Sequence, residues 1–175
     1  LAGGKGVFVC GEREQALEAL NVCMVRRDFG SAGDSVLLEE CLEGPEVSVF
    51  TFTDGHHISS LVAASDYKRA FDGNEGPNTG GMGSYSPPFR WNQELSDHVN
   101  EEIMIPAIEA MRCESTPYVG VLYAGLILTS NGPKVVEFNC RLGDPESQVI
   151  LPRLKTDFLQ IAIACVQGRL NEVAV

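Results

Sequence analysis

The stretch VLYAGLILTSNGPKVVEFN, residues 121–139, holds two β-rich runs on either side of Ser130-Asn131-Gly132. An Asn-Gly step between two such runs is typical of a tight turn that joins antiparallel strands. We therefore predict strands over residues 121–129 and 134–139, joined as a hairpin. The hairpin favours a fold in which most strands are antiparallel.

Elements on both sides of this hairpin are predicted from the same kinds of pattern. Further strands are expected over the β-rich runs 7–10, 47–52 and 58–64. Helices are expected where apolar residues recur at helical spacing, over 12–27, 96–111 and 156–166. Pro106 should bend the second helix or start its second half, Thr156 could cap the third helix, and Gly168 should lie near its end. These elements indicate an α+β or α/β fold with helices on a face of mainly antiparallel strands.

The composition excludes several classes of protein. With 44% hydrophobic and 21% charged residues, the 175-residue chain is typical of one globular domain or a large piece of one. A formal charge of −11, with 13 Lys and Arg spread along the chain, argues against a nucleic-acid surface. No apolar run has the length of a membrane span. The six cysteines form no CxxC pair and mostly lie in apolar runs, which predicts reduced, packed thiols and a cytoplasmic location.

A candidate metal site lies in the second strand of the hairpin. Because side chains alternate along a strand, Glu137 and Asn139 should share one face. Mg²⁺ accepts such oxygen ligands and completes its shell with water and nucleotide phosphates. Arg141 places a fixed cation two residues beyond the pair. The alternative is that the pair belongs to the solvated face of an edge strand and that Arg141 forms a surface ion pair.

A glycine-rich loop, GNEGPNTGGMG at residues 73–83, follows the charged run Asp66-Tyr67-Lys68-Arg69. Residues 77–81 offer an amide, a hydroxyl and bare backbone donors to a small ligand that carries a carboxylate or a phosphate. The alternative is a flexible linker, although the loop is neither Ser-rich nor repetitive.

Two further segments are candidates for nucleotide contacts. Residues 38–46, LEECLEGPE, place carboxylates on both sides of a Gly-Pro break. Backbone groups there could pair with adenine and a carboxylate could reach ribose hydroxyls, although an acidic turn has the same composition. Residues 1–6, LAGGKG, combine glycines with a lysine, but they lack the spacing and the Ser or Thr of a Walker A loop.

Four motifs together resemble one family: the D-x-K-R run at 66–69, GPNTGGMGSYSP at 76–87, LYAGLILT at 122–129 and EFNCRLGDPESQVILPRL at 137–154. Over essentially its entire length the chain is similar to the phosphoribosylamine-glycine ligases, which belong to the ATP-grasp superfamily. The resemblance implies an α+β fold in which two lobes close over ATP and Mg²⁺ or Mn²⁺. It also implies a reaction of purine synthesis, in which ATP, glycine and 5-phosphoribosylamine give glycinamide ribonucleotide, ADP and phosphate through glycyl phosphate.

Roles for individual residues follow from the same resemblance. The metal ligands would be Glu137 and Asn139. The nucleotide contacts would be Lys5 and Gly6 in a phosphate-covering loop, and Glu39, Cys41, Leu42 and Glu46 at adenine and ribose. The substrate positions would be Asp66, Lys68, Arg69, Asn78, Thr79, Gly80, Gly81 and Arg141. The groups at the reacting phosphoryl or acyl centre would be Arg141, Asp144 and Lys5.

The chain departs from the family in extent and at two positions. We expect residues 1–64 to belong to the smaller, nucleotide-covering lobe and residues 65–175 to the larger lobe. The N-terminal and C-terminal domains of the family are expected outside this chain, in a parent that in animals is often fused to other purine-pathway enzymes, so the isolated chain should be inactive. Tyr67 replaces a His, which could alter a substrate contact, and Leu142 replaces a Phe, which should change only packing. The alternatives are another ATP-grasp carboxylate-amine ligase and a nucleotide-binding module without turnover.

Overall fold

An antiparallel sheet of five strands organises residues 43–175 in the computed structural model, which describes residues 6–175. The strands are β1 (Glu46–Thr53), β2 (Val62–Asp66), β3 (Arg69–Phe71), β4 (Glu75–Asn78), β5 (Ser84–Tyr85), β6 (Gly120–Thr129) and β7 (Gly132–Asn139). The sheet has the order β5-β2-β1-β6-β7, and β3 pairs with β4 separately. The predicted hairpin is confirmed, because β6 and β7 pair from Tyr123 and Asn139 to Thr129 and Gly132.

α-Helices occur before, between and after the strands along the chain. They are α1 (Arg13–Leu20), α2 (Gln93–Val99), α3 (Ile105–Cys113), α4 (Ser147–Ile150) and α5 (Phe158–Gln167). A π-helical turn, Asn100–Met104, joins α2 to α3, and Pro106 lies in the first turn of α3. Proline has no N–H to donate to the preceding turn, which explains why a new helical segment starts there. The prediction that Pro106 starts a second half is confirmed.

The contacts divide the chain into two compact units, residues 1–42 and 43–175. In the first unit, the predicted helix is present as α1 followed by a π-helical turn, Asn21–Val25. The strand predicted over 7–10 is wrong, because these residues pair with no strand in the described part of the chain and are largely exposed. The assignment of residues 1–64 and 65–175 to two lobes stays a prediction.

Several element boundaries differ from those predicted, and α2, for example, begins at Gln93 rather than at residue 96. Only Ile58 of the early part of the 58–64 run pairs, in an isolated bridge to Thr53, and the continuous strand β2 begins four residues later. Asp157 rather than Thr156 caps α5, since its carboxylate accepts a hydrogen bond from Leu159 N at 2.9 Å. Thr156 instead donates its hydroxyl to Ala174 O. Gly168 lies at the end of the helix, as predicted, and it adopts the left-handed conformation there.

The sheet has two unlike faces, because successive residues of a strand point to opposite sides. One face forms the main core: Val47, Val49, Ala63, Leu122, Ala124 and Leu126 pack with Val99, Met104 and Ile108 of the α2–α3 segment. On the other face, Phe50, Ala64 and Tyr123 pack with Ile150. At one end of that second face Phe52 packs with Ile161 and Cys165 of α5, and polar side chains follow toward the other end.

The cysteines are all free thiols, but fewer are packed than predicted. Cys23 and Cys165 are buried, whereas Cys41, Cys113 and Cys140 are exposed. Apolar neighbours in the sequence therefore do not bury a thiol when its own position faces solvent. None of the described helices combines the length and the hydropathy that a membrane crossing requires.

Candidate functional site

The polar face of the sheet collects residues from four strands. Ser48 of β1 pairs with Gly125 of β6, and Gly125 pairs with Glu137 of β7, so these positions share one face. Positions two residues away along each strand lie on the same face. The polar residues placed there are Glu46, Ser48, Asp66, Tyr123, Glu137 and Asn139.

Glu137 and Asn139 lie side by side near the end of β7, on the face predicted for them. Asn139 Nδ2 donates a hydrogen bond to Glu137 Oε1 at 2.9 Å. Opposite Glu137, a methyl group at Gly125 would lie 3.4 Å from Glu137 Cγ, so the glycine leaves room for the carboxylate. The two side chains offer oxygen ligands of the kind that hard divalent cations take. Among the described residues, no group of three or more His, Cys, Asp or Glu is arranged to hold a metal.

Lys68 lies between a predicted nucleotide contact, Glu46, and a predicted substrate contact, Asp66. Its ammonium forms an ion pair with the carboxylate of Glu46, the predicted ribose contact, and lies 3.8 Å from Asp66 Oδ1. Burial by itself would lower the pKa of Lys68, but the hydrogen bond and charge of Glu46, with the charge of Asp66, raise it. Lys68 is therefore a partly exposed cation that lies between two carboxylates.

Asp66 is the buried member of this cluster, with 7% of its side chain exposed. Burial raises its pKa, Lys68 opposes that shift, and the negative charges of Glu146 and Glu46 add to it. The charge of Lys68 thus favours the ionised form of the Asp66 carboxylate.

The glycine-rich loop is folded along residues 67–68. Thr79 N donates to Lys68 O at 2.7 Å, and Gly81 N donates to the Thr79 hydroxyl at 3.1 Å. Tyr67 exchanges backbone hydrogen bonds with Met82 and Gly83. These bonds hold residues 79–83 against the strand end, which does not fit the linker alternative.

Two neighbouring residues contribute to this arrangement. Arg69, which is exposed, donates to Gly76 O at 2.7 Å. Tyr67 packs its ring against Tyr85, with centroids 5.4 Å apart. The Tyr67 ring therefore packs against the segment that follows the loop.

The loop contacts the turn formed by residues 141–146. Gly81 has φ +121°, and a methyl group there would lie 2.4 Å from Pro145 Cδ. The Ser84 hydroxyl donates to Pro145 O at 2.8 Å. At Gly80, in contrast, a methyl group would meet no heavy atom within 4 Å. The two predicted glycine positions are thus structurally different.

The turn itself carries the predicted reacting groups. Arg141 is exposed, donates to Leu142 O at 3.0 Å and places its guanidinium carbon 5.9 Å from the centre of the Tyr123 ring. Asp144 accepts a hydrogen bond from Gln148 at 3.0 Å. Leu142 packs against the small core cluster around Tyr123, in agreement with its expected packing role.

Glu146 has no role predicted from the sequence, but its side chain joins this turn to strands β1 and β6. It is 4% exposed, and its Oε1 lies 2.8 Å from the Ser48 hydroxyl and 3.2 Å from the Tyr123 hydroxyl, which are 2.8 Å from each other and hydrogen-bond within this triangle. Burial raises the pKa of Tyr123 most, the Ser48 hydrogen bond opposes this, and the nearby Glu146 charge adds to it, so the phenol keeps its proton. The only sequence signal was the position of Glu146 directly after Asp144-Pro145.

The remaining predicted residues are described each within its own part of the chain. Lys5 lies outside the described residues, and Gly6 occupies an exposed turn. Glu39 and Cys41 are exposed and Leu42 is half-buried, in an irregular part of the first unit. For Asn78 the backbone belongs to β4.

Comparisons with known proteins agree on one family. The family model described as phosphoribosylglycinamide synthetase, ATP-grasp (A) domain, matches residues 1–147. A phosphoribosylamine–glycine ligase of Rhodopirellula baltica is 51% identical over 172 residues, which are 98% of this chain and 39% of the relative. A bifunctional purine biosynthetic protein of Schizosaccharomyces pombe is 49% identical over the whole chain, which covers 22% of that protein. This chain therefore spans well under half of each of these two curated relatives.

Solved structures share the fold. The crystal structure of phosphoribosylamine–glycine ligase from Thermotoga maritima matches with a TM-score of 0.80 at 32% identity, covering 96% of this chain and 42% of the other. The biotin carboxylase domain of a thermophilic 2-oxoglutarate carboxylase matches with a TM-score of 0.63 at 14% identity over 92% of this chain and 34% of that one, a likeness of fold alone. The predicted α+β class is confirmed.

Proposed function

The chain belongs to the phosphoribosylglycinamide synthetase ATP-grasp (A) domain family, and we propose that it is the ATP-grasp segment of a phosphoribosylamine-glycine ligase. The parent protein would join glycine to 5-phosphoribosylamine at the expense of ATP, in the cytoplasm. Several curated relatives of about 50% identity carry this ligase name, and others are named bifunctional or trifunctional purine biosynthetic proteins. Because the chain covers only part of each relative, the rest of the protein would complete the enzyme.

One observation supports this proposal more than any other. The two predicted metal ligands, the cluster of Lys68 with its two carboxylates and the glycine-rich loop are connected along the polar face of the sheet. Asn139 pairs with Tyr123 in the sheet, Tyr123 contacts Glu146, and the adjoining Pro145 packs against Gly81. A nucleotide phosphate held near Glu137 and Asn139 would then lie beside the glycine-rich loop, which is proposed to hold the small substrate, glycine.

The residues fit a divalent cation, Mg²⁺ or Mn²⁺, that binds together with ATP. Glu137 and Asn139 would hold the ion, and phosphate oxygens and water would complete its shell. When bound, such an ion neutralises the negative charge of the phosphates.

The nucleotide itself would be held by the segments named from the family resemblance. Lys5 and Gly6 would cover the phosphates, and the backbone of Cys41 and Leu42, with Glu39, would contact adenine. Glu46 would reach the ribose, where its ion pair with Lys68 already orients the carboxylate.

The chemistry needs no covalent enzyme intermediate. An oxygen of the glycine carboxylate would form a bond to the γ-phosphorus as the bond from that phosphorus to the β-γ bridging oxygen breaks and ADP leaves. The phosphoribosylamine nitrogen would then attack the acyl carbon, lose a proton and displace phosphate. Arg141 and Lys5 would spread the developing charge, with Asp66, Lys68, Arg69 and residues 78–81 positioning the substrates and Asp144 near the reacting group.

The decisive experiment has a binding part and a turnover part. Calorimetric titration of the chain with a non-hydrolysable ATP analogue and Mg²⁺ should show metal-dependent binding that the double variant Glu137→Ala/Asn139→Ala abolishes. Lys134→Ala, at an exposed position on the same strand, is the matched control and should bind normally. Equal binding by the double variant and the unaltered chain would reject the metal assignment.

Turnover is tested on the full-length protein that carries these residues. Phosphate release should require both glycine and phosphoribosylamine. Release with another carboxylate in place of glycine would favour a different ATP-grasp ligase, and nucleotide binding without release would favour a binding module.

A further inference from the structure

We infer that Glu146 is a positioning residue of the proposed ligase: its carboxylate anchors the 141–146 turn to the sheet and, through Pro145, holds the glycine-rich loop in place. This inference rests on the proposed function for its catalytic consequences. Its structural part concerns contacts that exist without any ligand.

The anchoring contacts join Glu146 to two strands. The hydroxyl oxygens of Ser48 of β1 and Tyr123 of β6 lie 2.8 Å and 3.2 Å from Oε1 and 2.8 Å from each other, so their two protons serve the three contacts of this triangle. A carboxylate that is 4% exposed is costly to bury unless it is hydrogen-bonded in this way. Because hydroxyls from two neighbouring strands meet at one carboxylate oxygen, the turn can occupy one position relative to the sheet.

Gly143 brings the backbone of the turn directly against the same carboxylate. A methyl group at residue 143 would lie 2.3 Å from Glu146 Oε2. The missing side chain therefore lets the turn close over Glu146. From its other side, Glu146 starts α4, since its carbonyl accepts hydrogen bonds from Val149 N and Ile150 N.

The turn also fixes the position of the glycine-rich loop, because it contacts the loop directly. Pro145, next to Glu146 in the chain, packs against Gly81 and accepts the hydroxyl hydrogen bond of Ser84. Gly81 and Ser84 lie on either side of Met82 and Gly83, which form backbone hydrogen bonds with Tyr67. Loss of the anchor at Glu146 would thus loosen residues 79–84, although no atom of Glu146 belongs to the loop.

The alternative is that the Glu146 carboxylate acts directly on a substrate proton. Its tightly bonded Oε1 and small exposure favour anchoring, and the two roles predict different behaviour of the amide variant. Glutamine keeps a carbonyl oxygen that can accept from Ser48 and Tyr123, but it cannot take up a proton as a base.

Amide hydrogen exchange of the chain tests the structural part without requiring turnover. Tyr123→Phe and Ser48→Ala each remove one donor and should speed exchange at Gly81 and Met82 roughly tenfold. Tyr118→Phe is the matched control, because the Tyr118 hydroxyl donates to Val121 O and has no bond to Glu146. Unchanged loop exchange in Tyr123→Phe, or equal acceleration in Tyr118→Phe, would overturn the inference.

Kinetics of the full-length protein test the catalytic consequence. Glu146→Ala should raise KM for glycine at least tenfold, whereas Glu146→Gln should restore both KM and kcat to within about threefold of the unaltered enzyme. A kcat that falls equally in both variants would assign the charge a direct catalytic role and overturn the positioning role. If the unaltered protein releases no phosphate while the exchange result holds, the proposed function fails and the anchor stands.

Discussion

The Asp54 carboxylate accepts a hydrogen bond from Leu170 N at 3.1 Å, across 116 positions of the chain. The same carboxylate accepts the backbone N–H groups of His56 and His57 and lies 3.0 Å from His57 Nδ1. Burial alone would raise the pKa of Asp54, but these hydrogen bonds lower it below its usual range. One buried side chain thus fastens the end of β1 to the segment after α5.

Replacement of Asp54 should be strongly destabilising. Asp54→Ala leaves the Leu170 N–H without its partner and should lower the free energy of unfolding by about 3 kcal/mol. Urea unfolding at pH 7 measures this change. Asp157→Ala, which removes an exposed cap of α5, is the control and should cost about 1 kcal/mol; similar losses in both variants would contradict the special role of Asp54.

The contribution of Asp54 should also depend on pH. Since its pKa is lower in the folded state than in the unfolded state, its stabilisation is complete above the unfolded value of about 4 and is lost as pH falls toward the folded value. Between pH 5 and pH 2 the unaltered chain should lose more stability than Asp54→Asn. Parallel curves for the two proteins would argue against this linkage.

Lys68 should matter most when Asp66 is ionised. Without the ammonium, Asp66 faces Glu46 and Glu146 alone, so its raised pKa should rise further and its ionisation should cost stability as pH increases from 4 to 7. Lys68→Met should therefore lose about 1 kcal/mol at pH 7, a modest value because Lys68 is 41% exposed and solvent screens its pairs. The loss should be smaller at pH 4, and Asp66→Asn in the same background should reverse it.

The two adjoining glycines should respond differently to alanine. Gly81→Ala places a methyl group against Pro145 in a backbone conformation that disfavours side chains, and should lower stability by about 1–3 kcal/mol. Gly80→Ala meets open space and should change stability by less than about 0.5 kcal/mol. Thermal unfolding of the pair is the measurement, and equal shifts would show that the contact with Pro145 does not restrain the loop.

Tyr67→His tests the residue that departs from the family pattern. Loss of the ring contact with Tyr85 should lower stability by about 0.5–1.5 kcal/mol. If the position also contacts substrate, KM of the full-length protein should change, and Tyr67→Phe, which keeps the ring, should leave stability unaltered.

The sequence predicts the parts of this fold that are local. The Asn-Gly step of the β6–β7 hairpin, the proline of α3 and the glycine after α5 each act within a few residues, and all three have the predicted effect. The run 7–10 has strand-like composition, but a strand needs a neighbour, and composition does not reveal one. At the N-terminus of α5, Thr156 and Asp157 are both good caps, and only the fold shows which side chain is free to do it.

The residues of the candidate site also divide into those that local sequence rules place and those that only long-range contacts place. Glu137 and Asn139 could be placed on one face because strand alternation is a local rule. The anchor at Glu146 could not be predicted, because its donors lie 98 and 23 positions away and are ordinary strand residues until the sheet assembles them. Equally, nothing in the repeated glycines at 80 and 81 reveals that only the second one meets a proline.

Because the core and the polar site occupy opposite faces of the same strands, the chain tolerates length changes in an uneven way. Deleting one residue within β6 would exchange the sides on which Ala124 of the core and Tyr123 of the site lie, so a single event would damage the packing and the site together. A change in length at Ser130-Asn131, in the turn, leaves the alternation of both strands untouched. Insertions and deletions in natural variants of this segment should therefore be concentrated in its turns and be absent from β1, β6 and β7.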